Sequence, residues 1–242
     1  MAHLKEYEDV RLGHPKNWII CASSGSGKSY FVYRLLLELD NIVKNAPNRI
    51  INIYSHPQIF FPELANNCNR EIEFFHKFEN SLIHDYNYLA DSIVILDDTI
   101  KDCPTKDWAR NAILIHGHHL NFSTLILHHN LFDQSVHNLR TISINCHVTM
   151  LLNSPRALSS IHCLARQCFP TNYKEFINLY HELCSKVPYG YILLEMSGET
   201  PIELKIRNNL FESEGFLTVY IFDRDIPKKQ NEETNKKIFA PF

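Results

Sequence analysis

Residues 21–29, which read Cys-Ala-Ser-Ser-Gly-Ser-Gly-Lys-Ser, limit the possible folds more than any other stretch of the chain. The apolar run Trp18 to Cys21 leads into the glycines and predicts a buried strand, and apolar residues recur at helical spacing from Phe31 to Leu39. A glycine-rich turn between a strand and a helix is typical of loops that hold a polyphosphate, because backbone N–H groups and the positive end of the helix dipole face the anion. The stretch therefore predicts an α/β fold that binds phosphates.

The expected nucleotide-binding residues follow from this pattern and are Ser23, Ser24, Gly25, Ser26, Gly27, Lys28, Ser29 and Tyr30. Lys28 is expected to neutralise phosphate charge, and the hydroxyl group of Ser29 is expected to bind the Mg²⁺ that accompanies ATP. Ala22 occupies the position at which the full pattern begins with glycine. The alternative interpretation is a serine- and glycine-rich loop that only connects two elements.

A second decisive stretch, residues 92–98, reads Ser-Ile-Val-Ile-Leu-Asp-Asp. The consecutive apolar residues predict a strand buried on both faces, and a pair of carboxylates ends it. Asp97 is expected to reach Mg²⁺ through its water shell, and Asp98 is expected to orient and deprotonate the attacking water. Because aspartate is shorter than glutamate, hydrolysis is expected to be slow unless a neighbour completes the site. The alternative is an Asp-Asp cap on an ordinary strand.

The next predicted strand, residues 122–127, ends in His128-His129-Asn130. An ATPase with an additional strand requires a polar tip at this position, because that tip lies beside the γ-phosphate. His129 or Asn130 is therefore expected to sense phosphate or to hold the attacking water. The alternative is that these are exposed loop residues.

The remaining pattern predicts one α/β domain over residues 1–222, with a mostly parallel sheet, flanking helices and a C-terminal β-hairpin. Residues 63–90 show mixed helical signals without a clean period. Further elements are expected at residues 50–54 and 147–152 (strands), 108–115, 155–168 and 172–183 (helices), and 190–196 with 202–206 (the hairpin). From about residue 223 the chain is charged and poor in apolar residues, which predicts a disordered tail.

Composition narrows the class of protein. The formal net charge is −3, whereas proteins that constitutively coat nucleic acids usually have an excess of basic residues. This charge is still compatible with DNA that is bound by a few loops inside a ring. No apolar run approaches the ~20 residues that span a bilayer, and the first residues lack a signal-peptide core, so we expect an intracellular protein without membrane contact. The seven cysteines include no C-x-x-C pair and are expected to be reduced and mostly buried.

Three of the 14 histidines, His116, His118 and His119, lie close together in the sequence. Such a set resembles a metal-binding group, but three histidines within four positions of a loop offer no fixed tetrahedral arrangement. We therefore favour solvated loop histidines over a zinc site.

Several further stretches accompany the phosphate loop and the acidic strand in a fixed order. They are His14-Pro15, Gly117-His118-His119, Asn130-Leu131-Phe132, Arg140-Thr141-Ile142-Ser143, Ala165-Arg166-Gln167 and Tyr189-Gly190-Tyr191. Together these stretches resemble the FtsK/HerA-type genome-packaging ATPases of polinton-like and adintovirus-like elements and other double-stranded DNA viruses. The resemblance extends from about residue 14 to about residue 211.

The resemblance implies a P-loop NTPase with a RecA-like additional-strand core that assembles into a homo-oligomeric ring. It also implies ATP-driven translocation of double-stranded DNA into a capsid, in the host nucleus or cytoplasm, with capsid proteins as partners. Ring ATPases complete their site with an arginine from the neighbouring subunit, for which the resemblance favours Arg140 and Arg166 over Arg156 and Arg110. Pore loops would contact the DNA, and Lys101 and Lys106 are the candidates there.

Two positions depart from the pattern of this family. His129 stands where the family usually has glutamine, and His118 stands where it has arginine. Because a histidine with an ordinary pKa titrates near neutrality, turnover is expected to change between pH 6 and 8 in a manner that depends on His129.

Two other functions are compatible with the motifs. One is a different P-loop enzyme, such as a helicase loader or a nucleotide kinase. The other is an ATP-binding scaffold with little turnover, which the departures from the family pattern would allow.

Overall fold

The computed structural model describes residues 9–79, 85–222 and 236–238. Its strands are β1 (Leu12–Gly13), β2 (Trp18–Cys21), β3 (Val43–Lys44), β4 (Arg49–Tyr54), β5 (Glu71–His76), β6 (Ser92–Asp97), β7 (Ser123–His128), β8 (Val148–Leu152), β9 (Tyr191–Glu195), β10 (Ile206–Asn208), β11 (Thr218–Tyr220) and β12 (Lys236–Ile238). Its α-helices are α1 (Lys28–Leu37), α2 (Leu39–Ile42), α3 (Phe61–Asn67), α4 (Trp108–Asn111), α5 (Gly117–His119), α6 (Leu139–Asn145), α7 (Leu158–Cys168) and α8 (Tyr173–Tyr180).

The described residues form one large ten-stranded sheet in the order β12-β11-β10-β9-β8-β2-β7-β6-β4-β5, and β1 pairs separately with β3. The strands from β5 to β8 in this order are parallel, and those from β9 to β12 continue the sheet in antiparallel fashion. Strand β7 lies between β2, which leads into the phosphate loop, and β6, which carries the acidic pair. This is the additional-strand arrangement, so the predicted fold class is confirmed.

Apolar residues of the central strands alternate between two cores, one on each face of the sheet. Ile20, Ile95 and Leu127 belong to the core that packs against α1, whereas Ile19 and Leu96 belong to the core beneath the remaining helices. Burial on both faces explains why these strands are continuous apolar runs. Their shared carboxyl edge is therefore a rigid base for the loops that follow.

Four sequence expectations need correction or qualification. Strand β5 was not expected, because its Glu-Ile-Glu-Phe-Phe-His sequence is half-exposed at the sheet edge. The second arm of the hairpin begins later than residue 202, since Ile202–Leu204 form a 3-10 turn and pairing with β9 starts at Ile206.

The clustered histidines His116, His118 and His119 do not lie in a loop, because helical structure continues from α4 through a π-helical turn, Ala112–His116, into α5. The predicted disordered tail lies outside the described residues, except for β12, which pairs with β11.

Two further features concern the cysteines and the helices. All seven cysteines are free thiols, with Cys21, Cys146 and Cys184 buried and the other four partly buried. Burial raises the pKa of Cys21 and of Cys146 to about 12, so these thiols stay protonated at neutral pH. Within the described ranges, no helix has both the length and the apolar character needed to cross a membrane.

Candidate functional site: a phosphate loop beside paired carboxylates

The carboxyl ends of three parallel strands meet at one edge of the sheet. Cys21 at the end of β2 is in register with His128 at the end of β7, and Leu127 is in register with Asp97 at the end of β6. The loop that follows Cys21 therefore lies beside the acidic pair and beside the polar tip of β7. These groups are far apart in the sequence and are brought together only by the strand order.

The phosphate loop has the backbone conformation of an anion-binding turn. Gly25 and Gly27 have φ angles of 76° and 95°, in the left-handed region that favours glycine, and Gly27 caps α1. The backbone N–H groups of Ser24, Gly25 and residues 27–30 donate to no acceptor among the described residues. These amides, together with the positive end of α1, form a site for phosphate oxygens.

Ala22 does not disturb this conformation. Its backbone N–H donates to the carbonyl of His128 (3.2 Å), and its carbonyl accepts from Lys28 Nζ (3.1 Å). Its φ angle is not positive, so no glycine is required, and its methyl group is fully buried against the core. The alanine therefore fills the start of the loop without strain.

The loop is also tied to the turn that follows β8. Ser26 Oγ donates to the carbonyl of Asn153 (2.7 Å), and the backbone N–H of Ser23 donates to the same carbonyl (3.4 Å). The buried hydroxyl of Tyr180 donates to the carbonyl of Leu152 (3.1 Å) and accepts from the N–H of Ser154 (2.9 Å). Tyr180 thus fixes the turn that supports the phosphate loop.

Lys28 is buried and has four neighbours of functional interest. Its ammonium group lies 3.1 Å from the Ala22 carbonyl and 3.1 Å from His129 Nδ1. Burial lowers the pKa of Lys28, and the charges of Asp98 and Asp97 oppose that effect. A phosphate group would therefore meet a partly desolvated ammonium, which strengthens the attraction.

Ser29 and Asp97 lie together as a metal site requires. Ser29 Oγ donates to Asp97 Oδ2 over 3.4 Å. Two effects raise the pKa of Asp97 to about 6, of which burial is the larger and repulsion from the charge of Asp98 the smaller. One hydroxyl and one carboxylate, completed by phosphate oxygens and water, are the ligands that Mg²⁺ commonly takes in nucleotide sites. The two residues therefore fit this ion.

Asp98 has an unusual backbone and an unsatisfied side chain. Its φ angle is 53°, and its N–H donates to the carbonyl of Leu127 (3.3 Å). Asp98 Oδ1 is buried and accepts no hydrogen bond from the described residues, although His129 Nε2 lies 3.4 Å away at ion-pair distance. A left-handed aspartate costs ~1 kcal/mol or more, so the conformation is maintained by its surroundings. A buried carboxylate oxygen without a hydrogen-bond donor is costly, which marks Asp98 as a candidate functional residue.

His129 lies between the lysine and the carboxylate. Its Nδ1 atom lies 3.1 Å from Lys28 Nζ and 3.2 Å from the Ala22 carbonyl oxygen. In the tautomer that accepts from the lysine, the ring proton is on Nε2 and faces Asp98, whereas in the other tautomer Nδ1 donates to the carbonyl. Asn130 does not share this position, because its Oδ1 atom accepts from Phe132 N–H (3.1 Å) and Ser160 Oγ (2.5 Å). Of the two predicted sensors, only His129 therefore contacts the site.

His128 belongs to a separate network. This buried imidazole contacts Asp133 Oδ2 through Nε2 (3.0 Å), and Lys101 Nζ lies 3.2 Å from the same oxygen. Hydrogen bonds from Ser135, His128 and Lys101 hold the pKa of Asp133 well below its usual range. Lys101 is still half-exposed, and Lys106 is exposed, so both stay available as predicted DNA contacts.

The four candidate arginines are all exposed, and none has a hydrogen bond or ion pair to the phosphate loop, Asp97, Asp98 or His129 in the described part of the chain. Arg140 and Arg166 lie over the rings of Phe132 and Tyr173, and neither forms a hydrogen bond or ion pair with any residue the structure describes. Arg140 also borders an open cavity of about 420 Å³. Arg110 contacts Asn111 (3.4 Å), and Arg156 lies in the turn before α7. None of them completes the site of its own chain.

The three clustered histidines make separate ring contacts. His116 stacks on Tyr86, with ring centroids 4.1 Å apart, whereas His118 and His119 meet edge to face at 6.0 Å. Across the described ranges, no three histidine, cysteine, aspartate or glutamate side chains are arranged to hold a metal ion.

Three residues near the site were missed in the sequence. Asn52, in the middle of β4, is buried with its Oδ1 atom unpaired among the described residues, and it lines a cavity of about 10 Å³ with Ser29 and Asp97. An asparagine inside an apolar strand was the available signal. Asn153 and Tyr180 gave no such signal, because only the fold brings them to the phosphate loop.

The strand order and loop conformation are those of a P-loop NTPase. No family model matches the chain, and no curated protein matches it. Among solved structures, the genome packaging NTPase B204 from Sulfolobus turreted icosahedral virus 2, in complex with ATP-gammaS, is similar over 79% of this chain and 95% of its own, with a TM-score of 0.49 and 10% identity. The Legionella pneumophila ATPase DotB is similar over 69% of this chain and 52% of its own, with a TM-score of 0.37 and 12% identity.

Proposed function

We propose that this chain binds Mg-ATP and hydrolyses it within a homo-oligomeric ring that moves double-stranded viral DNA into a capsid. The observation that supports hydrolysis is the meeting of a loop of free amides, a buried lysine and two carboxylates at one sheet edge. In this proposal the amides and Lys28 bind the phosphates, and Ser29 with Asp97 holds Mg²⁺. When bound, Mg²⁺ would neutralise charge on the phosphate oxygens.

Asp98 is the proposed general base. Its buried Oδ1 atom has no hydrogen-bond donor in the described part of the chain, and the residue adopts a left-handed conformation directly after β6. The Nε2 atom of His129, 3.4 Å away, faces the same carboxylate. Asp98 would accept the proton of the attacking water, and His129 would hold the carboxylate in place.

The additional strand favours hydrolysis over phosphate transfer to a second nucleotide. Strand β7 inserts the tip with His129 between the phosphate loop and Asp98, in contact with Lys28. A hydrolase needs such a group next to the terminal phosphate, whereas a nucleotide kinase needs an open site for the acceptor. The contacts of His129 therefore support the ATPase over the kinase alternative.

Assembly into a ring would complete the site. Arg140 and Arg166 are exposed and unpaired among the described residues, so either is free to reach a neighbouring subunit. An arginine supplied in this way contributes ~10³–10⁵ in rate. DNA packaging in the host nucleus or cytoplasm, with capsid proteins as partners, rests on the sequence resemblance.

Phosphate release with and without duplex DNA tests the proposal. Wild-type protein is expected to release phosphate faster with DNA, and Lys28→Ala and Asp98→Asn are expected to lose about 10²–10⁴-fold in turnover. Transfer of phosphate to a nucleotide would support a kinase instead. ATP binding without turnover in any condition would support a scaffold.

The oligomeric state in Mg-ATP tests the ring. Sedimentation of the wild-type protein with Mg-ATP is expected to show a closed assembly. A monomer under all conditions would overturn the trans-arginine part of the proposal while leaving nucleotide binding intact.

A further inference from the structure

Two exposed aromatic side chains flank the phosphate loop and take no part in the steps above. Tyr30 directly follows Ser29 and is 51% exposed, and Tyr189, in the turn before β9, is 66% exposed. Their ring centroids are 6.5 Å apart, and the ring planes are inclined by 56°. The rings therefore form an open corner instead of stacking on each other. Large aromatic rings contribute most when they are covered, so two uncovered rings at one ligand site indicate a contact with that ligand.

The ring of Tyr189 is fixed against the loop. Its Cδ1 atom lies only 2.8 Å from the position that a Cβ atom would occupy on Gly27, so the ring packs directly against this glycine and a side chain at position 27 would force the ring to shift. Tyr189 also has a φ angle of 56°, which residues with a Cβ atom rarely adopt. The next residue, Gly190, packs so closely on Leu183 that a Cβ atom on Gly190 would lie 1.9 Å from the carbonyl oxygen of Leu183. The chain on both sides thus determines where the ring lies.

Tyr30 is supported from the other side. Its ring stacks on Tyr33, with centroids 5.9 Å apart and planes inclined by 23°. Its backbone N–H is one of the free amides of the loop, so the residue that meets the phosphates also carries one ring of the corner. The nucleoside part of a nucleotide must leave the loop close to this residue.

We propose that Tyr30 and Tyr189 form the platform on which the base of the bound nucleotide stacks. This inference rests on the proposed function, because it requires a nucleotide whose phosphates occupy the loop. The occupant is the base of the nucleotide, since a flat aromatic ring covers either tyrosine ring without needing a specific hydrogen-bond partner.

Calorimetric titration with two probes, Mg-ATP and Mg-tripolyphosphate, tests the platform. Tyr189→Ala and Tyr30→Ala are each expected to weaken ATP binding roughly 5- to 100-fold, the range for loss of one base-stacking ring. Tripolyphosphate, which has no base, is expected to bind both variants as it binds wild type. Tyr189→Phe keeps the ring and is expected to restore ATP binding. Phe216→Ala, which removes another half-exposed ring, serves as the matched control.

The outcomes separate the platform from the site beneath it. Equal weakening of both probes would show that the tyrosines only shape the loop, and unchanged ATP binding would show that the base lies elsewhere. Either result overturns the platform while leaving the phosphate site intact. Failure of wild type to bind either probe would overturn the phosphate site, and with it the platform.

Discussion

The ammonium group of Lys28 lies 3.1 Å from Nδ1 of His129, and Nε2 of the same ring lies 3.4 Å from Asp98 Oδ1. One imidazole therefore connects the cation of the phosphate loop to the proposed base. A phosphate group bound by Lys28 would lie beside this imidazole. One side chain would then link the phosphate to the orientation of the proposed base, Asp98.

The first prediction concerns the two contacts of His129. Removing the imidazole takes away the group that lies between Lys28 and Asp98. His129→Ala is therefore expected to lower turnover at saturating Mg-ATP roughly tenfold or more, as measured by phosphate release. Equal turnover in the variant and the wild-type protein would contradict the role of His129.

The second prediction concerns Mg²⁺ and Asp97. Because burial raises the pKa of Asp97 to about 6, protons compete with Mg²⁺ for this carboxylate in mildly acidic solution. Mg²⁺-dependent ATP binding is expected to weaken below about pH 6, and a tenfold higher Mg²⁺ concentration is expected to shift this limit to lower pH. The effect is expected to persist in His129→Ala, which separates it from the first prediction. A pH limit that does not change with Mg²⁺ concentration would contradict the competition between protons and Mg²⁺.

The third prediction concerns stability. The pKa of Asp97 in the folded protein, about 6, exceeds its ordinary value of 3.8, so its contribution to folding is fully present at acidic pH and is lost as the pH rises through about 6. Asp97→Asn is therefore expected to raise the free energy of unfolding at pH 7.5 by about 1–3 kcal/mol while abolishing hydrolysis. Urea denaturation measures the first effect.

Asp133→Asn is the matched control for this experiment. The pKa of Asp133 is held low by its partners, so its ionised form stabilises the fold above its unfolded pKa. Its replacement is expected to lower the free energy of unfolding at pH 7.5. Changes of the same sign in the two variants would contradict the assignment of Asp97 as a destabilising group.

The fourth prediction concerns the support of the phosphate loop. Tyr180→Phe would leave the buried N–H of Ser154 and the carbonyl of Leu152 without the hydroxyl they share. This change is expected to cost about 1–3 kcal/mol of the free energy of unfolding and to weaken tripolyphosphate binding. Tyr173→Phe, at a partly exposed tyrosine on the same helix, should change neither quantity. Unaltered stability in Tyr180→Phe would show that the turn holds without it.

The fifth prediction concerns the arginine supplied by a neighbour. Alanine at the correct position, Arg140 or Arg166, is expected to reduce turnover about 10³-fold or more with little change in ATP affinity. Mixing this variant with Asp98→Asn subunits should restore part of the activity, because some interfaces then combine two intact halves. Arg110→Ala is the exposed control. Full activity in both Arg140→Ala and Arg166→Ala would exclude both residues.

The sequence pattern predicted those parts of the fold in which the local preference of the residues matches the structure that they adopt. The apolar runs of β2, β4 and β6 and the glycines of the loop were sufficient to predict a P-loop fold, and the order of motifs predicted the additional strand. Strand β5 was missed because an edge strand with alternating charge lacks the apolar run. The later start of β10 was missed because Ile202–Leu204 look like a strand but form a turn.

The site was predicted only in part. Ser29 and Asp97 were expected to meet and do lie in contact, because strand order determines which carboxyl ends are adjacent. The contact between Lys28 and His129 could not be predicted, since it depends on side-chain rotamers. Tyr180 carries no local signal, and Tyr189 was noted only as part of a stretch shared with the resembled family, because each reaches the loop from a distant part of the chain.

The two histidines that end β7 face different partners. His129 contacts Lys28 and Asp98, whereas His128 contacts Asp133, which lies on the cavity that Arg140 also borders. Because His128 and His129 are consecutive in the chain, a displacement of His129 at the phosphate site would also move the contact between His128 and Asp133. In the proposed ring, the phosphate site would thus be linked to the cavity beside Arg140 through two adjacent residues.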